Sequence, residues 1–263
     1  CPVMSGRFPL PIPNGWFQLA YGDELAAGRV LPLRYFGKDL LLSRAPGGRV
    51  ELVSQGSSEA WHCAERNQII WAWHHGSGAS PDWEIPRVDE VGSEEWTPLR
   101  RHRWTVRTHN QEIGENAVDR AHFRYVHGTA TVPDSELRLD GHIRRAVQHV
   151  RMTTPRGEVD GQIRVEAHGM GCTITRFTGI CETVLLLSHT PIDGESVDSR
   201  FSFTQKNADA ESRVAAAVIK EVVRQMDQDI PIWEHKKYLE KPMLCDGDGP
   251  IPQYRKWAAQ FYG

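Results

Sequence analysis

Asn116, Asp119, His122 and His127 are the residues whose types and spacing suit chemistry best. The first three recur at steps of three, and on an α-helix that spacing sets all three on one face. His127 follows five residues after His122. Five steps of about 100° leave two imidazoles roughly 140° apart on a regular helix. They can share a metal only where the helix ends or bulges between them, a distortion frequent at functional sites. Two imidazoles and one distant carboxylate would make a facial three-ligand iron site with open positions. The same residue types also serve as a solvated face or as satisfied core histidines, and chelating spacings produce false positives. What favours a site is the company of Ala117, Val118 and Ala121: an apolar segment tends to be buried, and buried carboxylates need partners.

The distant carboxylate has a candidate a hundred residues on. Residues 209–229 carry the clearest helical pattern, with Asp209 as N-cap and Glu211 in the first turn. Val214, Val218, Val222 and Met226 recur every four residues and predict one buried stripe. Three residues further the stripe meets Asp229, and four beyond that Trp233, while Glu221 and Asp227 fall off it. Asp229 is thus aimed into an apolar interior, where a metal, an arginine or a backbone cap would each satisfy it. Pro231 removes an N–H and is expected to disturb the helix there. His235 reads as a surface residue.

The elements around these residues are mainly strands. Residues 8–16 alternate proline and turn at Asn14-Gly15. Trp16–Leu19, Val30–Tyr35, Leu40–Leu42, Val50–Val53 and Ile69–Trp73 read as strands, the third and fourth joined at Pro46-Gly47-Gly48. Gln55–Ser58 is a polar linker. Residues 77–100 read as a surface connection pinned by Trp83 and Trp96, followed by a strand over 101–109. Residues 140–206 predict an antiparallel meander with one wet face, from strands at Gln162–Ala167, Thr173–Phe177, Thr183–Leu187 and Arg200–Thr204. His168, Cys172 and His189 there read as core or pocket lining, with a metal site the lesser alternative. His62-Cys63 and His74-His75 are adjacent pairs that a strand splits between two faces, so neither chelates readily. Residues 250–262 read as a short amphipathic helix.

The pattern Asn116-x-x-Asp119-x-x-His122-x-x-x-x-His127 resembles the iron-binding helix of the Rieske non-heme iron oxygenases. The flanking residues resemble their steroid and sterol branch, which includes the oxygenase component of 3-ketosteroid 9α-hydroxylase and the cholesterol 7-desaturases. Pro13–Phe17, Gly37–Leu40, Ala64–Asn67, Gln228–Lys236 and the C-terminal segment carry the same resemblance. It implies an α+β fold: a Rieske-type antiparallel β domain (residues 1–90), here truncated, and a helix-grip-like catalytic domain of antiparallel sheet and helices (residues 91–263). It also implies mononuclear Fe(II) held by His122, His127 and Asp229, with Asp119 carrying electrons between subunits and Asn116 beside it. A homotrimer, a flavin/iron-sulfur reductase and a steroid or sterol substrate follow from the family. The departure lies in the [2Fe–2S] cluster. The family holds it with Cys-x-His and Cys-x-x-His, and neither motif occurs in this sequence.

Composition bounds the alternatives. The chain has 263 residues, 40% hydrophobic with nine tryptophans, so a sizeable core is expected. A net charge of −3 without a basic run argues against nucleic acid, and no apolar stretch approaches a membrane span. Five cysteines, odd in number and without Cys-x-x-Cys, fit a reduced, cytoplasmic protein. Two other classes remain open: a sterol-binding or interaction subunit without oxygenase activity, and a zinc hydrolase using the same donor set.

Overall fold

The computed structural model describes residues 6–57, 59–128, 135–154, 157–179, 181–245 and 247–263. Cys1 and Ser58 lie outside them. The N-terminal part holds two three-stranded antiparallel sheets. One orders β1 (Gly15–Tyr21), β6 (Ile69–His74) and β5 (Cys63–Arg66); the other orders β2 (Val30–Tyr35), β3 (Lys38–Arg44) and β4 (Val50–Ser54). The β2–β3 turn places Phe36 and Gly37 at φ 56° and 70°, the left-handed pair that a two-residue hairpin requires. β4 connects to β5 directly. A bridge joins Val53 to Ala60, and the Trp61 ring stacks on Phe36, which in turn stacks on His74.

The C-terminal part is built on a seven-stranded antiparallel sheet. Its order is β7 (Arg100–Val106), β13 (Val197–Gln205), β12 (Thr183–Pro191), β11 (Cys172–Thr178), β10 (Gly157–His168), β9 (Ile143–Thr154) and β8 (Ser135–Asp140). Between β7 and β8 run α1 (Asn110–Asn116) and α2 (Arg120–Tyr125); after β13 come α3 (Asn207–Ala210), α4 (Arg213–His235) and α5 (Ile251–Ala258). The α+β architecture expected from the sequence is therefore present.

The wet face expected of the meander is not wet where the sheet meets the N-terminal part. Every residue of β13 is buried. On its polar face Arg200 and Ser202 meet the small sheets, and Thr204 donates to Thr97 O of the 77–100 connection at 2.7 Å. Tyr21 Oη bonds Ser202 Oγ at 2.8 Å, and Tyr35 Oη donates to Asp198, which Arg103 and Arg200 also contact. Clean polar alternation marks an inter-sheet hydrogen-bonded layer here, because a pattern of period two reports faces and not water. Trp16, Trp71 and Trp73 pack with Ile174 and Leu186 across that boundary. Trp83 meets the edge of Trp73 at 4.5 Å and stacks on His142 at 4.6 Å, pinning the 77–100 connection as expected.

Helix α4 also departs from its predicted start. Ser212 is the N-cap, accepting from Ala215 N at 3.0 Å, while Asp209 accepts from Glu182 N and anchors the loop before β12. The buried line is Ala215, Ile219, Met226, Asp229 and Trp233, with Val222 half-buried and Val214 37% exposed. A constant step of four drifts about 40° per step around a helix. The line that stays facing the sheet alternates steps of four and three, so the two stripes converge only at Met226, Asp229 and Trp233. Pro231 lies inside α4, which continues to His235.

Candidate metal centre

Residues 115–127 do not form one helix. α1 stops at Asn116, Ala117 caps it, and Asp119 begins α2 as N-cap, its Oδ1 accepting from Ala121 N at 3.0 Å and His122 N at 3.4 Å. Neither glycine nor proline causes the break. Gly249 presses its backbone against it at φ 73°, so close that a Cβ there would lie 2.3 Å from Val118 O, and Val118 packs with Ile251, Tyr254 and Trp257. α1 is itself anchored at both ends. His109 caps it, Nδ1 accepting from Gln111 N and Nε2 donating to Pro11 O. Buried Glu112 and Glu115 pair with Lys236 at 2.6 Å and Arg255 at 2.8 Å. These two ion pairs tie α1 to the end of α4 and to α5; the sequence reading missed them because their partners lie over a hundred residues away.

α2 ends at Tyr125, so the chain turns before His127 and brings the second imidazole back towards the first. The ring centroids of His122 and His127 are 5.0 Å apart. The predicted condition for sharing a metal, a helix end between the two histidines, is met. Asp229 enters from the buried line of α4. Ligand atoms of His122, His127 and Asp229 all lie within 4.8 Å of one another, and among the described residues no other His, Cys, Asp or Glu set gathers in this way.

The tautomers follow from the partners. His122 Nδ1 meets the carbonyl oxygen of Asp119 at 2.5 Å, and a carbonyl only accepts, so the proton sits on Nδ1. His127 Nδ1 likewise donates to Gln228 Oε1 at 3.0 Å. Both Nε2 lone pairs are therefore left facing Asp229 and Asn116. The break turns the Asp119 carboxylate to the α2 N-terminus and leaves its backbone carbonyl to hold the His122 ring. Asn116 Nδ2 donates to Asp229 Oδ2 at 3.0 Å and lies 3.4 Å from His122 Nε2. His127 Nε2 stands 3.4 Å from the same Asp229 Oδ2. Three electron-pair donors thus converge with a single amide NH₂ among them, an arrangement that calls for a proton or a cation. All three residues are buried. Burial lowers the His122 pKa to about 4 and raises that of Asp229 to about 6, the latter against the opposing pull of His127 and Asn116. Two neutral imidazoles and a carboxylate within reach suit a facial divalent-metal site.

The site opens on a cavity of about 280 Å³. Its floor is one face of the sheet, read across the strands as Ala146, Val165 and Thr175, then Ala167, Thr173, Leu187 and Phe201; its roof includes Ile113, Phe123, Met226 and Trp233. His189 lines it too, bonded through Nδ1 to Ser199 Oγ at 2.9 Å and lowered to about 4 by burial. His168 and Cys172 are cross-strand partners on the opposite face, where Cys172 joins the tryptophan core and His168 bonds Glu166 at 2.7 Å. The alternative of a metal bound by His168, Cys172 and His189 fails because the sheet lies between them. His62–Cys63 and His74–His75 gather no ligand set, and His235 is exposed as predicted.

Comparisons with known proteins identify the family of the chain. The family described as the 3-ketosteroid 9α-hydroxylase C-terminal domain matches residues 72–262. A cholesterol 7-desaturase of Caenorhabditis elegans is 27% identical over 342 aligned positions, covering 98% of this chain and 78% of that protein. The alignment is longer than the chain, so that relative holds residues for which this sequence has no counterpart. A 3-ketosteroid-9-alpha-monooxygenase oxygenase component of Rhodococcus rhodochrous is 32% identical, covering 79% of this chain; the chain spans 60% of that relative. Among solved structures, dicamba monooxygenase bound to 3,6-dichlorosalicylic acid superposes with a TM-score of 0.76 over 96% of this chain and 98% of that one, at 14% identity, a likeness of fold. The chain belongs to the steroid and sterol branch of the Rieske non-heme iron oxygenases, the family of the 3-ketosteroid 9α-hydroxylase C-terminal domain.

Proposed function

We propose that the protein is the terminal oxygenase component of a Rieske-type non-heme iron monooxygenase acting on a steroid or sterol, with His122, His127 and Asp229 holding mononuclear Fe(II). The convergence of three electron-pair donors at the mouth of an apolar cavity carries this reading. Iron at such a site supplies activation of O₂, using electrons delivered from outside. The chain's own part is positioning. Asp119 O and Gln228 Oε1 hold the two rings with Nε2 forward. Asn116 keeps the Asp229 carboxylate oriented. Ile113, Phe123, Phe201 and Trp233 exclude water from the place where a ring system would lie.

The remaining assignments belong to the same proposal. Residues 1–90 form the truncated Rieske-like domain and 91–263 the catalytic one. In a homotrimer, half-buried Asp119 would carry electrons from a neighbouring cluster. The sequence holds neither cluster motif, so the [2Fe–2S] centre and the link to a flavin/iron-sulfur reductase must come from a partner that carries them. If none does, the protein is a sterol-binding subunit built on an oxygenase scaffold. The four described cysteines are unpaired, which suits the cytoplasm, and no helix among the described residues is long and apolar enough to cross a membrane. The substrate class is tested by loading Fe(II) anaerobically, adding nitric oxide as a probe, and titrating 4-androstene-3,17-dione. A steroid beside the metal alters the electron paramagnetic resonance of the nitrosyl; an unchanged spectrum at the highest soluble concentration excludes this neutral 3-ketosteroid as a ligand of the site.

A further inference from the structure

The cavity contains a charge that the metal centre does not use. Arg144 stands second in β9, paired with Leu139 on one side and Ala167 on the other. Period two places it on the same face as Ala146 and Gln148, and all three line the cavity. The residue is 5% exposed. Among the described residues no carboxylate, carbonyl or hydroxyl hydrogen-bonds its guanidinium, and none of the aromatic rings lies under it. The acids of the cavity wall and of α1 are engaged elsewhere: Asp229 with Asn116, Asp119 with the N-terminus of α2, Glu112 with Lys236 and Glu115 with Arg255. Its ionisable neighbour is Tyr254, whose phenol burial holds above its ordinary pKa and therefore protonated and neutral.

An arginine does not escape burial by losing its proton. Removing an ion from water without a counter-ion costs several kcal/mol, on the order of the whole margin of a folded domain. The neighbouring Arg145 shows the ordinary solution: it points to the other face and pairs with Glu166 at 2.7 Å. Arg144 faces the same cavity as the three convergent donors. Its planar fork matches a carboxylate in bidentate fashion, whereas a ketone or hydroxyl meets it with one neutral acceptor and leaves the charge uncompensated.

We propose that Arg144 anchors a carboxylate on an otherwise apolar substrate, so that the cavity takes a hydrophobic acid in preference to its neutral analogue. This rests on the reading of the cavity as the substrate site. The acid end is held at Arg144 while the apolar body lies across Ala146, Val165 and Leu187, within the same cavity as His122, His127 and Asp229. Arg144 is then a specificity residue, outside the set that holds the metal.

The test uses 3-oxo-4-androstene-17β-carboxylic acid and its methyl ester, titrated calorimetrically at pH 7.5 into the full chain loaded with Fe(II) under argon. Wild type should bind the acid at least about tenfold more tightly, the lower end of what a hydrogen bond to a charged group supplies. Arg144→Gln should lose that preference and keep its ester affinity; Arg144→Lys, which keeps the charge without the fork, should retain part of it. If Arg144→Gln does not fold, Arg144→Lys decides. Partial loss of the preference in Arg144→Lys supports the proposal, and unchanged preference overturns it. Equal binding of acid and ester by wild type, binding of neither, or a preference that survives in Arg144→Gln overturns it as well. Iron content measured on the same samples separates the two readings. Iron bound at the triad without acid preference defeats the Arg144 proposal alone, and acid preference without iron binding defeats the oxygenase reading alone.

Discussion

At the scale of single residues, the centre depends on which atom of each neighbour faces a histidine. Asp119 serves His122 through its backbone carbonyl, while its carboxylate caps α2. Asp119→Asn keeps both functions, since asparagine caps a helix as well as aspartate does. Iron affinity should therefore change far less than the 10–100-fold typical of losing a ligand's hydrogen-bond partner. Gln228→Ala removes the acceptor for His127 Nδ1 and should cost affinity within about that 10–100-fold range. Competition with a chelator of known affinity checks both; the reverse ranking contradicts the geometry. The pH dependence follows from Asp229, whose carboxyl burial raises to about 6. A carboxylate must lose its proton before it can bind a metal. Iron affinity should thus be level above about pH 7 and fall as pH drops through 6, approaching tenfold per unit, while His122, lowered to about 4, remains unprotonated across that window. A profile flat between pH 5 and 7 would show that burial does not raise the Asp229 carboxyl in this way. Most of this centre was legible in the sequence. His122 and His127 are near neighbours in the chain, and Asp229 announces itself as an acid on an apolar line. Gln228 and Arg144 were not legible, because neither pattern nor spacing says which polar side chain points inward.

Elements explain where the sequence reading went astray. Asp119 is suited to start a helix as N-cap, and the chain breaks there where Gly249 and the α5 segment press against Val118. α1 and α5 approach so closely that a Cβ on Gly114 would lie 1.7 Å from the hydroxyl oxygen of Tyr254, itself 2% exposed. Gly114→Ala, which would raise helix propensity on an exposed helix, should instead destabilise the protein by roughly 1–3 kcal/mol through overpacking. Tyr254→Phe, by removing the oxygen that clashes, should recover part of the loss in the double variant. Urea unfolding of the single and double variants measures this, and a stabilised Gly114→Ala would show that the two helices are further apart. Strands were easier to read than helix boundaries. Each predicted strand run exists, because β-branched and aromatic runs between glycine and proline turns leave little alternative. Their solvent faces were misjudged where β11, β12 and β13 are covered on both sides.

For the whole molecule, the small sheets, the large sheet and the helices divide the work. Tyr21, Tyr35 and the tryptophans lock the N-terminal sheets onto one face of the large sheet, leaving the other face for the helices and the cavity. Such a division requires pairings over long sequence distances, which composition and periodicity do not encode; the family resemblance supplied it. The resemblance did not supply the joint between β4 and β5, where Gln55 and Gly56 turn and Val53 bridges Ala60. A chain that gathers His122, His127 and Asp229 while lacking the cluster motifs makes metal binding the central claim, separate from turnover. The most direct measurement is iron content after anaerobic reconstitution and desalting, comparing wild type with His122→Ala and Asp229→Ala, each shown to be folded by circular dichroism. About one iron per wild-type chain is expected, with a marked loss in both variants. Equal iron in all three proteins, or none in wild type, would contradict it.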